Sequence, residues 1–195
     1  VPQQSVALAA IARDAGANPL SGRTIVWSSL SPNLAAVDGN GTVMALAVGS
    51  AVITATSEGK TGSATVTVSD GGFISPGGGT VTAAAGNAIV QVPAGALASA
   101  TAITVTPVTN PFPDPRLIPG TAYEFGPNGT AFAQPVTVRI KYSDASLPGG
   151  AVPGQFRLHR LVGTTWTLVT GSSVDVASRT VTGQTSGFST YAILE

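Results

Sequence analysis

The sequence predicts an all-β protein, and three observations predict it. Apolar residues alternate with Thr, Ser or charged residues at a period of two, as where Val136, Val138 and Ile140 interleave with Thr137, Arg139 and Lys141. Turn formers punctuate the chain throughout: 24 glycines and 14 prolines divide it into runs too short for helices. Charged residues make up only 9% of the sequence, against ~25% in ordinary soluble domains. Thr, Ser, Ala and Gly must therefore form much of the surface, as in a fibre or layer, a glycosylated coat or a secreted β protein of low charge.

The same composition removes several function classes. Net charge is +0 with no basic patch, so nucleic-acid binding lacks an electrostatic basis. No apolar run approaches the ~20 residues of a membrane span. The N-terminus lacks a basic segment followed by an apolar core, so a secretion signal is expected to have been removed or to lie upstream. Cysteine is absent, which excludes disulfides and thiolate metal sites and is compatible with the outside of a bacterium.

Three parts are expected: a first domain at 1–69, a linker at 70–72 and a second domain at 73–195. In the first, Val6, Leu8, Ala10 and Ala12 alternate as one strand, ended by the polar turn Asp14 to Pro19. Thr24 to Ser28 follows, with Trp27 as its large core side chain, and Ser31-Pro32-Asn33 turns the chain into Leu34 to Val37. Asp38 to Gly41 leads into Thr42 to Leu46, and Ala51 to Thr56 is joined through Glu58 to Gly62 to the last strand, Ser63 to Val68. Short strands at this turn spacing predict an immunoglobulin-like β-sandwich.

The second domain opens with Phe73-Ile74, and the Pro76 to Gly79 loop leads into Thr80 to Thr82. Asn87 to Val92 is a strand stopped by Pro93, and Pro93 to Leu97 is expected to make one helical turn with Leu97 inward. Ala102 to Val108 carries the late Pro107, which predicts a place near a sheet edge. Asn110 to Pro115 is a stiff, extended excursion. Tyr123 to Tyr142 reads as strand, Gly126-Pro127-Asn128-Gly129 turn and strand, a hairpin expected to form the spine of the domain. Phe156 to Leu161 and Thr164 to Val169 form a second hairpin about Gly163, and Arg179 to Gly183 and Ser189 to Leu194 close the chain.

From Trp27 to Val68, the run WSSLSPNLAAVDGNGTVMALAVGSAVITATSEGKTGSATVTV closely resembles the bacterial immunoglobulin-like domain of the second group. The resemblance implies an extracellular spacer of the kind found in adhesins, surface-layer proteins and secreted enzymes. It also implies one strand more than is seen before Gln4 to Asp14; that strand either lies upstream or is supplied by a neighbour through strand addition at an unfilled edge. The second domain is similar to the ZU-type domain of tight-junction, netrin-receptor and ankyrin proteins. Its matching pieces are GGTVT at Gly78 to Thr82, IVQVPAGAL at Ile89 to Leu97, YEFGPNGTAFAQPVTV at Tyr123 to Val138 and GFSTYAI at Gly187 to Ile193. That likeness implies a mostly-β fold that docks on neighbouring domains or partner proteins.

Candidate chemistry is sparse. In some members of the broader ZU-type family a His-Phe-Ser triplet cleaves its own backbone. Here Phe188 and Ser189 match, but Gly187 stands where the base would be, which favours a packed strand. His159 is the lone histidine and is expected half exposed on a strand. Asp38, Asn40 and Thr42 have the spacing of a calcium loop, yet no closing glutamate follows, so a turn is expected. Asp14, Asp70, Asp114 and Asp144 sit in turns, where aspartate belongs. Asn40-Gly41-Thr42 and Asn128-Gly129-Thr130 fit the glycosylation pattern and equally an Asn-Gly turn. Gly77 to Gly79 lacks the lysine of a phosphate loop, and Glu58, Glu124 and Glu195 supply no carboxylate pair.

The sequence therefore leads to a non-catalytic structural subunit of an extracellular bacterial assembly, a surface layer or filament. No catalytic, cofactor or metal residues are expected. Its expected partners are copies of itself, as a homo-oligomer or polymer. The alternative is a spacer plus docking module of a secreted adhesin that binds a partner protein or glycan.

Overall fold

Every regular stretch longer than three residues in the computed structural model is a β-strand, and the structure describes all 195 residues. The chain divides into two units, Val1–Ser69 and Asp70–Glu195.

The first unit contains β1 (Ser5–Ala7), β2 (Val26–Ser29), β3 (Ala35–Val37), β4 (Thr42–Ala45), β5 (Gly49–Ser57) and β6 (Lys60–Val68). They form two antiparallel sheets, ordered β1-β4-β3 and β2-β5-β6. Alternation selects the inward residues: Ala35, Val43, Ala45, Ala51, Ile53 and Val68 are buried together. Leu8, Trp27, Leu34, Val37 and Val66 pack against them half-buried. The expected strand from Val6 to Ala12 shrinks to three residues. Beyond Ala7 the chain leaves the ladder, and Val6 and Ile11 are exposed.

The second unit contains β7 (Gly71–Ile74), β8 (Gly79–Ala83), β9 (Ala88–Val92), β10 (Thr101–Pro107), β11 (Tyr123–Gly126) and β12 (Ala131–Lys141). These are followed by β13 (Arg157–Val162), β14 (Thr165–Leu168), β15 (Ser173–Asp175), β16 (Thr180–Gly187) and β17 (Thr190–Leu194). One antiparallel sheet runs β14-β13-β17-β11-β10-β7 and the other β15-β16-β12-β9-β8. A single apolar cluster joins them. Ile103, Val105, Phe125, Leu158, Tyr191 and Ile193 come from the first sheet, and Val81, Val90, Val138, Ile140 and Val181 from the second. Phe125, Phe132, Phe188 and Tyr191 form its aromatic centre, with edge-on contacts between Phe132 and Phe188 at 4.7 Å and Phe125 and Tyr191 at 5.6 Å.

The segment Tyr123 to Tyr142 is not a hairpin. β11 pairs with β10 and β17, whereas β12 pairs with β9 and β16 in the other sheet. The turn at Gly126 to Gly129 carries the chain from one sheet to the other. Phe125 and Phe132, on either side of it, are both buried in the shared core. Local alternation shows which face is apolar but not which strand lies beside it.

Gly71 and Gly72, expected as linker, begin β7 and pair with Thr104 and Ile103. At Gly71 φ is +144°, and a Cβ there would lie 2.0 Å from the Ile103 carbonyl oxygen, so the strand comes closer than a side chain allows. Asp70 also belongs to this unit: its carboxylate accepts the Gly71 and Ala84 amides.

Pro107 is not in an edge strand, since β10 lies between β11 and β7. It sits beyond the last pair with β7, Thr104–Gly71, on the side where the Val105 amide makes the final bond, to the Asp70 carbonyl. The missing N–H falls where no neighbour remains. Pro93 to Leu97 forms a turn rather than a helical turn, with Ala96 and Leu97 both buried. The short strand β15 has no apolar alternation to announce it beyond Val174. No helix is long and apolar enough to cross a membrane.

Candidate functional site

The Gly187-Phe188-Ser189 segment lies at the junction of β16 and β17, and each residue is engaged in structure. Phe188 is fully buried between Phe125 and Phe132. The Phe188 amide donates to the Thr130 carbonyl at 3.1 Å, and the Ser189 carbonyl accepts the Phe125 amide at 3.0 Å. The Ser189 hydroxyl donates to the Leu161 carbonyl at 2.9 Å, which turns its proton toward an acceptor with no basicity. The Gly187 carbonyl accepts from both the Thr185 and the Tyr191 hydroxyls. The arrangement pins the strand junction to the core.

His159 is buried, with 7% of its surface exposed, which corrects the expectation of a half-exposed side chain. It lies on the sheet face opposite the main core. There Ala122, Trp166, Ala192 and Leu194 form a second apolar cluster, with Val108, Leu117 and Leu161 against it. The excursion from Asn110 is tied down to this face, because the Trp166 indole N–H donates to the Phe112 carbonyl at 2.8 Å. Nothing in the local sequence of β13 signals that a loop some forty residues earlier will cover it. Burial lowers the His159 pKa below its ordinary value; the contact with the Arg157 carbonyl opposes that, the Arg116 charge adds to it and the Asp114 charge opposes it. Asp114 and Arg116 form a two-bond pair at 3.0 and 2.7 Å. The Arg116 guanidinium, as hydrogen-bond donor, holds the Asp114 carboxyl down at about 2.

The other candidates resolve into turns. The Asp38 carboxylate accepts the Asn40 and Thr42 amides at 2.9 and 2.8 Å, so its oxygen closes the loop on the backbone. Asp14 does the same for Gly16 and Asn18, and Asp144 pairs with Arg179. Glu58 pairs with Arg23, Glu195 accepts the Val152 amide, and Glu124 stands on β11 opposite Thr106 and Thr190. Asn40 and Asn128 are exposed in their turns, and Gly78 reverses the chain beside Ser75 at φ +81°. No group of three or more His, Asp or Glu side chains is close enough to hold a metal ion.

The first unit carries an open surface. β1 pairs with β4 on one side only, and at its start the Gln3 amide and Gln4 carbonyl also bond Ala45. The longer free edge is β6, nine residues without proline, bulge or register shift, paired on one side with β5. Beside it, clefts open between β5–β6 and the irregular segments around Leu8–Arg13, Leu20 and Ile25. One cleft of about 390 Å³ is lined by Ile11, Leu20, Ile25, Ala55 and Gly62, and another of about 270 Å³ by Leu8, Trp27, Ile53 and Ala64. The sequence points to an edge near Val1 to Asp14; the structure adds the facing edge at residues 60–68. Its signal is the alternation of Thr61, Ser63, Thr65 and Thr67 with small apolar residues and no charge after Lys60.

No curated protein matches the chain. Among solved structures, the surface layer protein SbsC, domains 1–6, aligns over 89% of this chain and 30% of its own length, at 16% identity and a TM-score of 0.30. The chain thus spans less than a third of that protein, and so distant a likeness carries no argument about this one. Residues 2–68, nearly the whole of the first unit, match the family model of the bacterial Ig-like domain (group 2).

Proposed function

We propose that this chain is a structural subunit of an extracellular bacterial assembly, a surface layer or filament, and that it performs no catalysis. The observation that carries the reading is the surface of the Ig-like unit. Val6, Ile11, Val26, Leu30, Met44, Leu46 and Val48 are each 45% exposed or more, in a chain where charged residues are only 9%. Apolar and hydroxyl faces of this kind stay soluble poorly alone and are covered well by a neighbour. Self-association by strand addition at the first unit's open edge fits the same surface.

The second unit we assign to the ZU-type domain, as a docking element. Support comes from where its motifs fall: GGTVT leading into β8, IVQVPAGAL on β9 and the turn after it, the Tyr123 to Val138 segment on the crossing between sheets, and GFSTYAI from the end of β16 into β17.

Size-exclusion chromatography followed by electron microscopy tests the function. Ordered layers or filaments support the subunit reading. A monomer at all concentrations that binds a protein or glycan saturably would replace it with the spacer-plus-docking alternative.

A further inference from the structure

We infer that β6 is a self-complementary pairing edge, and that two copies of this chain join through antiparallel β6–β6 pairing centred on Ala64. This deepens the subunit proposal and rests on it. The β5–β6 turn has two central residues, Glu58 and Gly59, at φ +49° and +78°, the signature of a type I′ hairpin. In such a hairpin the closing pair, here Ser57 and Lys60, is hydrogen-bonded. Alternation then directs the backbone groups of Gly62, Ala64, Val66 and Val68 toward β5. Those of Thr61, Ser63, Thr65 and Thr67 turn outward, and none of them has a hydrogen-bond partner.

A second copy is the occupant that fits. The other terminal strands of the sheets, β1, β2, β3, β7, β8, β14 and β15, are three to five residues long and cannot satisfy a nine-residue edge. Antiparallel pairing about Ala64 sets Thr61 opposite the second copy's Thr67 and Ser63 opposite its Thr65. All four outward residues of both strands are then used, in about eight N–H···O bonds. Side chains match in the same register. On the inner face Val66 lies beside the second copy's Gly62, large against small, and Ala64 meets Ala64. On the outer face hydroxyl meets hydroxyl. The one charge in the strand, Lys60, falls opposite Val68, so no like charges meet. The devices that usually protect an edge, an interior charge, proline or bulge, are all missing. Such a contact closes on itself as a twofold pair, so growth of a layer needs a second contact elsewhere.

The chain has no cysteine, which allows a direct test of register. In the full chain, Ala64→Cys places two thiols on a non-hydrogen-bonded pair with Cα atoms about 4.5 Å apart, within disulfide reach. Gly62→Cys places them about 14 Å apart. Oxidation is expected to give covalent dimers of A64C and none of G62C. Thr65→Pro removes only an outward N–H, so the monomer keeps its β5 pairing while association, followed by sedimentation, weakens at least about tenfold. Trp27 emission and thermal unfolding of the first unit check that the variant folds. A wild-type chain that stays monomeric at millimolar concentration, or equal cross-linking of both cysteine variants, overturns the inference. Ordered polymers unaffected by Thr65→Pro also overturn it while leaving the subunit proposal standing. Pairs with the expected cross-link but no ordered polymer uphold it and sink the subunit proposal instead.

Discussion

Replacing Phe188 by alanine separates the packing role of the Gly187-Phe188-Ser189 segment from any chemical one. Phe188 is 0% exposed, 4.7 Å from Phe132 in an edge-on contact and 6.0 Å from Phe125. Truncating a buried phenylalanine costs about 3–5 kcal/mol. Two aromatic partners, worth roughly 0.5–1.5 kcal/mol each beyond area, place this one near 4–5 kcal/mol. Against a domain stability of about 5–15 kcal/mol that is a large fraction, and it corresponds to a fall in Tm of roughly 12–20 °C for a unit of this size. Ser189→Ala loses one hydrogen bond, to the Leu161 carbonyl, at about 1 kcal/mol. Urea unfolding in a Trp27→Phe background isolates the second unit, because Trp166 is then its sole tryptophan reporter. The expected ratio between the two variants is about fourfold, and both chains should remain a single band after long incubation. A Phe188→Ala effect below about 2 kcal/mol, or a larger effect from Ser189→Ala, would refute the assignment of this segment to the core.

Further outcomes follow from the same geometry. The lowered pKa of His159 means that the unfolded chain takes up its proton first. Stability is therefore full above about pH 6.5 and declines as pH falls toward the lower folded value; His159→Gln should flatten the difference in Tm between about pH 7.5 and pH 5. Arg116→Ala should return the Asp114 carboxyl from about 2 toward the ordinary range, read by NMR titration. In the parent, the associated stability is present above about pH 3.9 and is lost as pH falls through about 2. Gly41→Ala should destabilise the first unit by more than about 1 kcal/mol, seen in Trp27 emission. At φ +82° its Cβ would lie 2.7 Å from the Trp27 ring and 2.9 Å from the Leu8 carbonyl oxygen. Asp38→Ala should cost about 1 kcal/mol by freeing the Asn40 and Thr42 amides, while calorimetric titration of the parent with calcium gives no heat.

The all-β class and most strand positions were legible in the chain because alternation and turn chemistry act over a few residues. The β5–β6 hairpin is an example, although the connection expected over Glu58 to Gly62 tightens to Glu58-Gly59 and Lys60 to Gly62 already belong to β6. The Asp38 turn is another, since its carboxylate bonds amides only two and four residues away. What only the tertiary structure decided is which strand lies beside which. Tyr123 to Tyr142 looks like a hairpin because each half is a good strand next to a good turn. The halves part into different sheets because the core needs Phe125 from one and Phe132 from the other. His159 looks half exposed because groups that lie near it, Asp114 and Arg116, come from residues far away in sequence. Edges are tertiary facts for the same reason. A strand becomes an edge through a neighbour it lacks: the uncharged alternation within Lys60 to Val68 permits an edge but does not fix one, and the free groups of Thr61, Ser63, Thr65 and Thr67 emerge only when the sheets are assembled.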